Sequence, residues 1–154
     1  MLVAQDTTEL DYTGKNDIEG ATRLAINAHS CVNAPAQFAG IAALRGPQQA
    51  VADMVSAFAA RRKVVVEELN RIPGLSCVEP GGAFYAFPNI TGTGIPAKEL
   101  EERLLEEAGV ATVAGTSFGR HGEGYLRLSY ANSVDNIREA ISRIRAWLGA
   151  RNTA

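Results

Sequence analysis

The spacing of apolar residues separates an irregular start of the chain from a helical stretch. Residues 1–21 are polar and rich in turn formers, with no sustained apolar period, which predicts an irregular N-terminal arm. From Ala34 to Leu69 apolar side chains recur every three or four positions, the spacing of a helix with one buried face. Gly46 and Pro47 interrupt it, because proline has no N–H to donate and disfavours helix at the preceding residue. The pattern predicts two helices, over about residues 34–45 and 47–71.

Four short runs later in the chain have the composition of strands. They cover residues 75–78, 83–87, 110–113 and 125–131. A helix that begins near Pro96 and ends at Gly109 separates the second run from the third. Its predicted buried stripe is Leu100, Leu104 and Leu105. A last helix begins after Asn132 or Ser133, and its apolar stripe is Ile137, Ala140, Ile141, Ile144, Trp147 and Leu148.

The order of these elements predicts the fold class. Consecutive strands joined by short turns favour antiparallel pairing, although the helix between the second and third strands leaves room for one parallel pair. We therefore expect an α+β fold in which a long helix leads into a small, mostly antiparallel sheet covered by helices on one face.

Composition and charge exclude several classes of protein. The chain has 154 residues, of which 46% are hydrophobic and 21% charged, as in a globular domain with a real core. No apolar run approaches the roughly 20 residues that span a bilayer, and no basic segment precedes an apolar one as in a signal peptide. Fifteen basic and 17 acidic residues give a net charge of −2, which argues against nucleic acid as a partner.

The candidate reactive side chains form no recognisable catalytic or metal motif. Cys31 and Cys77, taken with His29 and His121, lack the spacing of a zinc site, so we expect reduced thiols and a cytoplasmic protein. Cys31 follows His29 by two residues, yet an inert packed thiol is the commoner case than a nucleophile. His121 is expected to be a solvated loop residue, and the basic run at residues 61–63 a solvated helix face.

Arg127 stands apart, because it lies in the middle of the last predicted strand. Alternation places Tyr125, Arg127 and Ser129 on one face of the sheet and Leu126, Leu128 and Tyr130 on the other. A guanidinium beside a glycine-rich loop offers two parallel donors, which suits a carboxylate. The alternative is a surface arginine on the wet face of a half-exposed sheet, which the pattern alone favours.

Several motifs, in order and at familiar distances, resemble one family. They are residues 81–88 (GGAFYAFP), 114–119 (AGTSFG) and 124–131 (GYLRLSYA), preceded by Ser30-Cys31, Gln37 and residues 42–44. Together they resemble the C-terminal third of class I/II aminotransferases, the pyridoxal-phosphate enzymes of the aspartate aminotransferase superfamily and fold type I. The likeness covers about residues 22–148 and implies a small C-terminal domain over residues 22–150 with its long leading helix.

The resemblance implies a role for Arg127. In the family this position grips the α-carboxylate of the amino-acid substrate, which fixes its orientation for the transfer of an amino group to a 2-oxo acid. The complete enzymes act with pyridoxal phosphate and are homodimers. Phe84 and Tyr85 lie in a strand near the substrate pocket, and the resemblance assigns no role to either.

One part of the family pattern is missing from this sequence. The lysine that forms the Schiff base belongs to the large domain, and none of the three lysines, Lys15, Lys63 and Lys98, stands in the matching context. We therefore expect the chain alone to be inactive, to lack a cofactor site and to depend on a large domain in cis or in trans. A truncated product, a split gene and a decayed reading frame remain open as origins.

A second class of function stays open beside the enzyme. A non-enzymatic module derived from such a small domain could bind a carboxylate or another protein through faces that the large domain covers elsewhere. The sequence does not identify the amino-acid substrate, because side-chain selectivity rests largely on residues outside the matching region.

Overall fold

The computed structural model describes residues 34–151. The predictions for the N-terminal arm at residues 1–21, for His29 and Cys31 and for Lys15 lie outside the described residues. The chain divides into two compact units, and the boundary between the described parts falls after Met54. Helix α1 is Ala34–Arg45 and helix α2 is Gln49–Leu69, which confirms the two predicted helices to within two residues.

The break between the two helices is stabilised by hydrogen bonds from a side chain. Gly46 makes the last α-helical bond of α1, from its N–H to the carbonyl of Ala42 at 2.8 Å. The side-chain amide of Gln48 donates to the carbonyls of Ala43 and Gly46, both at 2.9 Å. Pro47 has no N–H to donate and stands just after the end of α1. The Gln48 side chain binds the carbonyls at this end of the helix that have no backbone partner.

The sheet has three short strands, of which the last in sequence is central. Strand β1 is Tyr85–Ala86, β2 is Val113–Ala114 and β3 is Leu126–Ser129, in the order β1-β3-β2. Both pairs are antiparallel, so the described strands contain no parallel pair. The predicted α+β class with a small antiparallel sheet is confirmed.

The prediction of a strand over residues 75–78 is wrong. Ser76 and Asn89 exchange two backbone hydrogen bonds, of 3.0 and 2.7 Å, in a single bridge. The side chain of Asn70 binds the next residue: its oxygen accepts from the Cys77 N–H at 2.8 Å and its amide donates to the Cys77 carbonyl at 2.9 Å. In an antiparallel pair the residue after a hydrogen-bonded pair directs its N–H and C=O away from the partner, so these bonds lie on the outer side, and the bridge at Ser76 does not extend into a ladder.

Of the run predicted over residues 110–113, only Val113 belongs to strand β2, while Val110 forms a single bridge. Gly109 adopts a left-handed conformation with φ of 66° at the C-cap of helix α3, Ala97–Ala108, as predicted. The Val110 N–H then bonds to the carbonyl of Leu104 at 2.9 Å. The first residue of the expected strand is thus used to close the helix. The other two strands are likewise shorter than the predicted 83–87 and 125–131.

The hydrophobic core lies on one face of the sheet. Helix α3 buries Leu100 and Leu104, but Leu105 is 48% exposed, which corrects its predicted place in the buried stripe. One residue past Leu104 turns the side chain by about 100° around the helix axis, away from the core. Helix α4, Val134–Arg151, buries four of its six predicted stripe residues, namely Ile137, Ile141, Ile144 and Leu148. None of the helices in residues 34–151 has the length and apolarity to cross a membrane.

Helix α3 receives its N-terminal cap from a distant residue. Pro96 stands at the N-cap, just before the first turn, and has no side-chain acceptor to offer. The Ala97 N–H donates instead to the carboxylate of Glu123 at 2.9 Å, and the same oxygen accepts from the Gly124 N–H at 3.1 Å. One carboxylate thus joins the start of α3 to the loop before β3, where negative charge also suits the helix dipole.

Helix α4 is capped locally and ion-paired to α2. Ser133 is its N-cap, as one of the two predicted alternatives had it, since its hydroxyl accepts from the Asn136 N–H at 3.2 Å. Near the other end, Arg145 lies 2.9 Å from the carboxylate of Glu68 on α2, which also pairs with Arg71. The hydrogen bond from Arg145 is the main cause that lowers the pKa of Glu68 below its ordinary value.

We predict that Glu123→Ala lowers the free energy of unfolding by about 1 kcal/mol, the usual cost of removing an N-cap. Urea denaturation measures it. Glu106→Ala, on the exposed side of the same helix, serves as the control and should leave stability nearly unchanged. Equal losses in the two variants would show that the cap contributes nothing specific.

We also predict that the Glu68 ion pair makes stability depend on pH on the acid side. Because the folded pKa is lowered and the unfolded chain keeps the ordinary value, the contribution is complete above about pH 4.5 and is lost as the pH falls through the folded pKa. Glu68→Gln should therefore flatten the fall in unfolding midpoint below about pH 5. The matched control is Glu67→Gln, since the Glu67 carboxylate lies 4.0 Å from Lys63 on the same helix. The same fall in unfolding midpoint below about pH 5 in both variants would contradict the prediction.

Candidate functional site

Arg127 lies on the open face of the central strand. The side chains of Leu126 and Leu128 are buried, while Arg127 and Ser129 are half-buried on the other face, as the alternation predicted. Across the sheet, Val113 of β2 stands opposite Arg127, and Tyr85 of β1 stands opposite Ser129. Residues opposite one another in an antiparallel pair share a face, so both neighbouring strands contribute side chains around Arg127.

The guanidinium of Arg127 lies over two aromatic rings. Its central carbon is 4.4 Å from the ring centre of Tyr85 and 4.5 Å from that of Phe118. Tyr85 comes from β1, and Phe118 comes from the loop that follows β2. Stacking on rings leaves the N–H donors of a planar guanidinium directed along its edges, where they can meet an acceptor. A guanidinium held in this way can bind a carboxylate through its edge.

Further aromatic rings extend this face of the sheet. Phe87 stacks on Tyr125 with centres 5.5 Å apart and meets Phe118 edge-on at 6.2 Å. Phe87 is 40% exposed and Phe118 is 54% exposed. We call Tyr85, Phe87, Phe118 and Tyr125 the aromatic face. An apolar surface of this kind around one cation strengthens the attraction between the guanidinium and an anion, because it keeps water away.

Two glycines bring Phe118 to Arg127. The loop after β2 forms two short 3₁₀ turns, Gly115–Phe118 and Arg120–Gly122, and doubles back on itself. A Cβ on Gly115 would lie 2.2 Å from the carbonyl oxygen of Gly122, and one on Gly122 would lie 1.9 Å from that of Gly115. Only glycine at both positions permits this approach. The glycines of this loop therefore allow it to fold back and hold the ring of Phe118 beside Arg127.

A buried tyrosine fixes the segment before Tyr85. The Tyr130 hydroxyl donates to the carbonyl of Ala83 at 2.9 Å, and the Tyr130 N–H donates to the carbonyl of Phe84, also at 2.9 Å. Ala83 has a φ of 59°, a left-handed conformation that costs energy for any residue with a Cβ. Burial raises the pKa of the Tyr130 phenol above its usual value, so the hydroxyl keeps its proton to donate.

The other candidates from the sequence make local contacts. His121 is exposed and accepts a hydrogen bond from Arg120 at 3.1 Å, as expected of a loop residue. The basic run at residues 61–63 is less solvated than predicted, because Arg61 stacks on Phe58 and Arg62 pairs with Glu79 at 3.2 Å. Lys63 is the exposed member of that run.

Neither the buried thiol nor the lysines of the described region suit catalysis. Burial raises the pKa of the Cys77 thiol, which makes it unreactive. Lys98 donates to Glu101 at 2.9 Å, and that bond raises the pKa of the ammonium and keeps it protonated. Lys63 lies 4.0 Å from Glu67 on the same helix. Within residues 34–151 no three His, Cys, Asp or Glu side chains gather as a metal site.

Phe118 and Phe87 are members of the site that the sequence did not indicate. Both lie within the motifs at residues 81–88 and 114–119, yet neither has a property that distinguishes it from a core aromatic residue. The usable signal was the glycine pattern around Phe118 together with its position next to the strand of Arg127.

Comparison with known proteins gives one family. The model of "Aminotransferase class I and II" matches residues 19–144. An aspartate aminotransferase of Pyrococcus horikoshii is 49% identical over 114 residues, which are 73% of this chain and 29% of that protein. An aspartate aminotransferase of Geobacillus stearothermophilus is 42% identical over 89% of this chain and 36% of its own length.

A solved structure agrees with these relatives. The aromatic aminotransferase from Pyrococcus horikoshii has a TM-score of 0.72 and 42% identity, over 77% of this chain and 32% of that chain. The chain spans about a third of the length of the curated relatives it matches.

We predict that Gly122→Ala prevents the loop from closing and lowers the free energy of unfolding by about 1–3 kcal/mol, as overpacking against backbone does. Thermal or urea denaturation measures the loss. Gly81→Ala is the control, because a Cβ there meets nothing within 4 Å. A Gly122→Ala protein as stable as Gly81→Ala would mean that the loop does not need the close contact.

Proposed function

The chain belongs to the class I and II aminotransferases, and from this premise we propose that it supplies the substrate-binding small domain of a pyridoxal-phosphate-dependent aminotransferase. The reaction moves an amino group between an amino acid and a 2-oxo acid. The observation that carries the proposal is the Arg127 guanidinium, stacked on two rings at the open face of the sheet.

Arg127 is proposed to bind the α-carboxylate that amino-acid and 2-oxo-acid substrates share. Two parallel N–H groups meet the two carboxylate oxygens, so the contact fixes both the position and the rotation of the substrate. The aromatic face excludes water from one side of this contact and strengthens it. A pinned carboxylate leaves the bonds at the neighbouring carbon in one defined orientation, which is the contribution a binding residue makes to the reaction rate.

The described residues do not fit pyridoxal phosphate. The cofactor requires a lysine that can lose its proton, and both Lys63 and Lys98 are paired with glutamates on helix surfaces. We assign the cofactor and its lysine to a large domain, in cis or in trans. On this proposal residues 34–151 alone do not catalyse transamination.

The remaining features of the complete enzyme are part of the proposal. It is a homodimer in the cytoplasm, as the family resemblance and the composition led us to expect. Its substrate side chain is left open, because relatives of comparable identity are named for aspartate and for aromatic amino acids. The rival proposal, a non-enzymatic carboxylate- or protein-binding module, draws on the same exposed aromatic face.

A chimera tests the proposed role of Arg127. Residues 34–151 replace the matching segment of the Pyrococcus horikoshii aspartate aminotransferase, and transamination of aspartate is assayed. We expect the chimera to be active and Arg127→Lys to lower its kcat/KM roughly 30-fold, since about 2 kcal/mol is lost when a bidentate charged contact becomes a single one.

The matched control is Arg120→Lys in the same chimera. Arg120 is an exposed loop residue that donates to His121, so its change should leave kcat/KM within about twofold. Equal effects at the two arginines would refute the carboxylate role. A folded but inactive chimera, paired with carboxylate binding by the chain itself, would favour the non-enzymatic module.

A further inference from the structure

We propose that Tyr85 and Phe118 are positioning residues that set the direction of the Arg127 guanidinium at the proposed carboxylate site. The inference rests on the proposed carboxylate role of Arg127 and extends it to two side chains that act through the arginine. The rings lie 4.4 and 4.5 Å from the guanidinium carbon.

The need for such residues follows from where Arg127 lies. An arginine side chain is long and flexible, and on the open, half-buried face of a strand no packed core restricts its rotamers. The opposite face of β3 carries Leu126 and Leu128, which are buried and fix the backbone but not the guanidinium. The two rings contact the guanidinium itself, at the end of the side chain that would meet a carboxylate.

The two rings have separate supports, neither of which involves Arg127. Tyr85 follows the turn at Ala83 and Phe84, which the buried Tyr130 binds with two hydrogen bonds of 2.9 Å. Phe118 lies in the loop that the Gly115–Gly122 contact closes. Because each ring is placed from the scaffold, the rings can orient the arginine rather than follow it.

The edge contacts of Phe118 support the same conclusion. Phe87 meets Phe118 at 6.2 Å with an interplanar angle of 71°, and Phe87 in turn stacks on Tyr125. A ring that is 54% exposed is thus supported from the side by an aromatic neighbour while its partner cation lies 4.5 Å away. These contacts restrict Phe118 without burying it.

The test is an NMR experiment on the full 154-residue chain. It measures the mobility of the Arg127 Nε–H group and the dissociation constant of acetate, read from the shift of the same resonance. Phe118→Leu and Tyr85→Leu should each raise the mobility of Arg127 and weaken acetate roughly two- to fivefold, the range that a partly exposed cation–π contact carries. The conservative changes Phe118→Tyr and Tyr85→Phe keep a ring and should restore both values.

The outcomes separate this inference from the proposed function. If the wild-type chain binds acetate at Arg127 while both leucine variants leave mobility and affinity unchanged, the positioning role is wrong and the carboxylate role stands. If acetate does not perturb Arg127, the carboxylate role fails at the level of this chain; the mobility of Arg127 in the leucine variants then decides the positioning role by itself. A loss shared equally by the leucine variants and the ring-keeping variants also overturns it.

Discussion

The pairing of one central strand with two neighbours is the constraint on which the rest of the molecule depends. Strand β3 hydrogen-bonds to β1 on one side and to β2 on the other, and none of the three exceeds four residues. One face of β3 inserts two leucines into the core, and the other presents Arg127 between side chains from both neighbours. The position of the charged group is therefore set by the same contacts that stabilise the fold.

Helices and the face of Arg127 could be predicted from the sequence, whereas strand ends could not. The helical period runs over many residues and survives local exceptions, and the alternation through β3 gave the correct face. The prediction of a strand at residues 75–78 was wrong because only Ser76 pairs, in a single bridge to Asn89, and the strand from Val110 was shortened because its first amide closes a helix. Both are choices of hydrogen-bond partner that depend on the folded chain.

The site was predictable only in part for the same reason. Arg127 carries a charge in mid-strand, which is unusual enough to be noticed. The two rings beside it come from residues 42 and 9 positions earlier in sequence (127 − 85 and 127 − 118), and nothing in their own motifs indicates a cation as partner. Long-range polar contacts such as the Glu123 cap on helix α3 were equally hidden, because the acceptor lies 26 residues from the donor.

The crossing of Gly115 and Gly122 also limits how this loop can vary. Each missing Cβ faces the backbone carbonyl of the other glycine and not a side chain, so a change at one position has no compensating change at its partner. In a double-mutant cycle the two positions would share a single penalty, since either substitution already separates the two backbones. The loop can therefore vary in sequence only at the residues between the two glycines. These include position 118, whose side chain contacts Arg127.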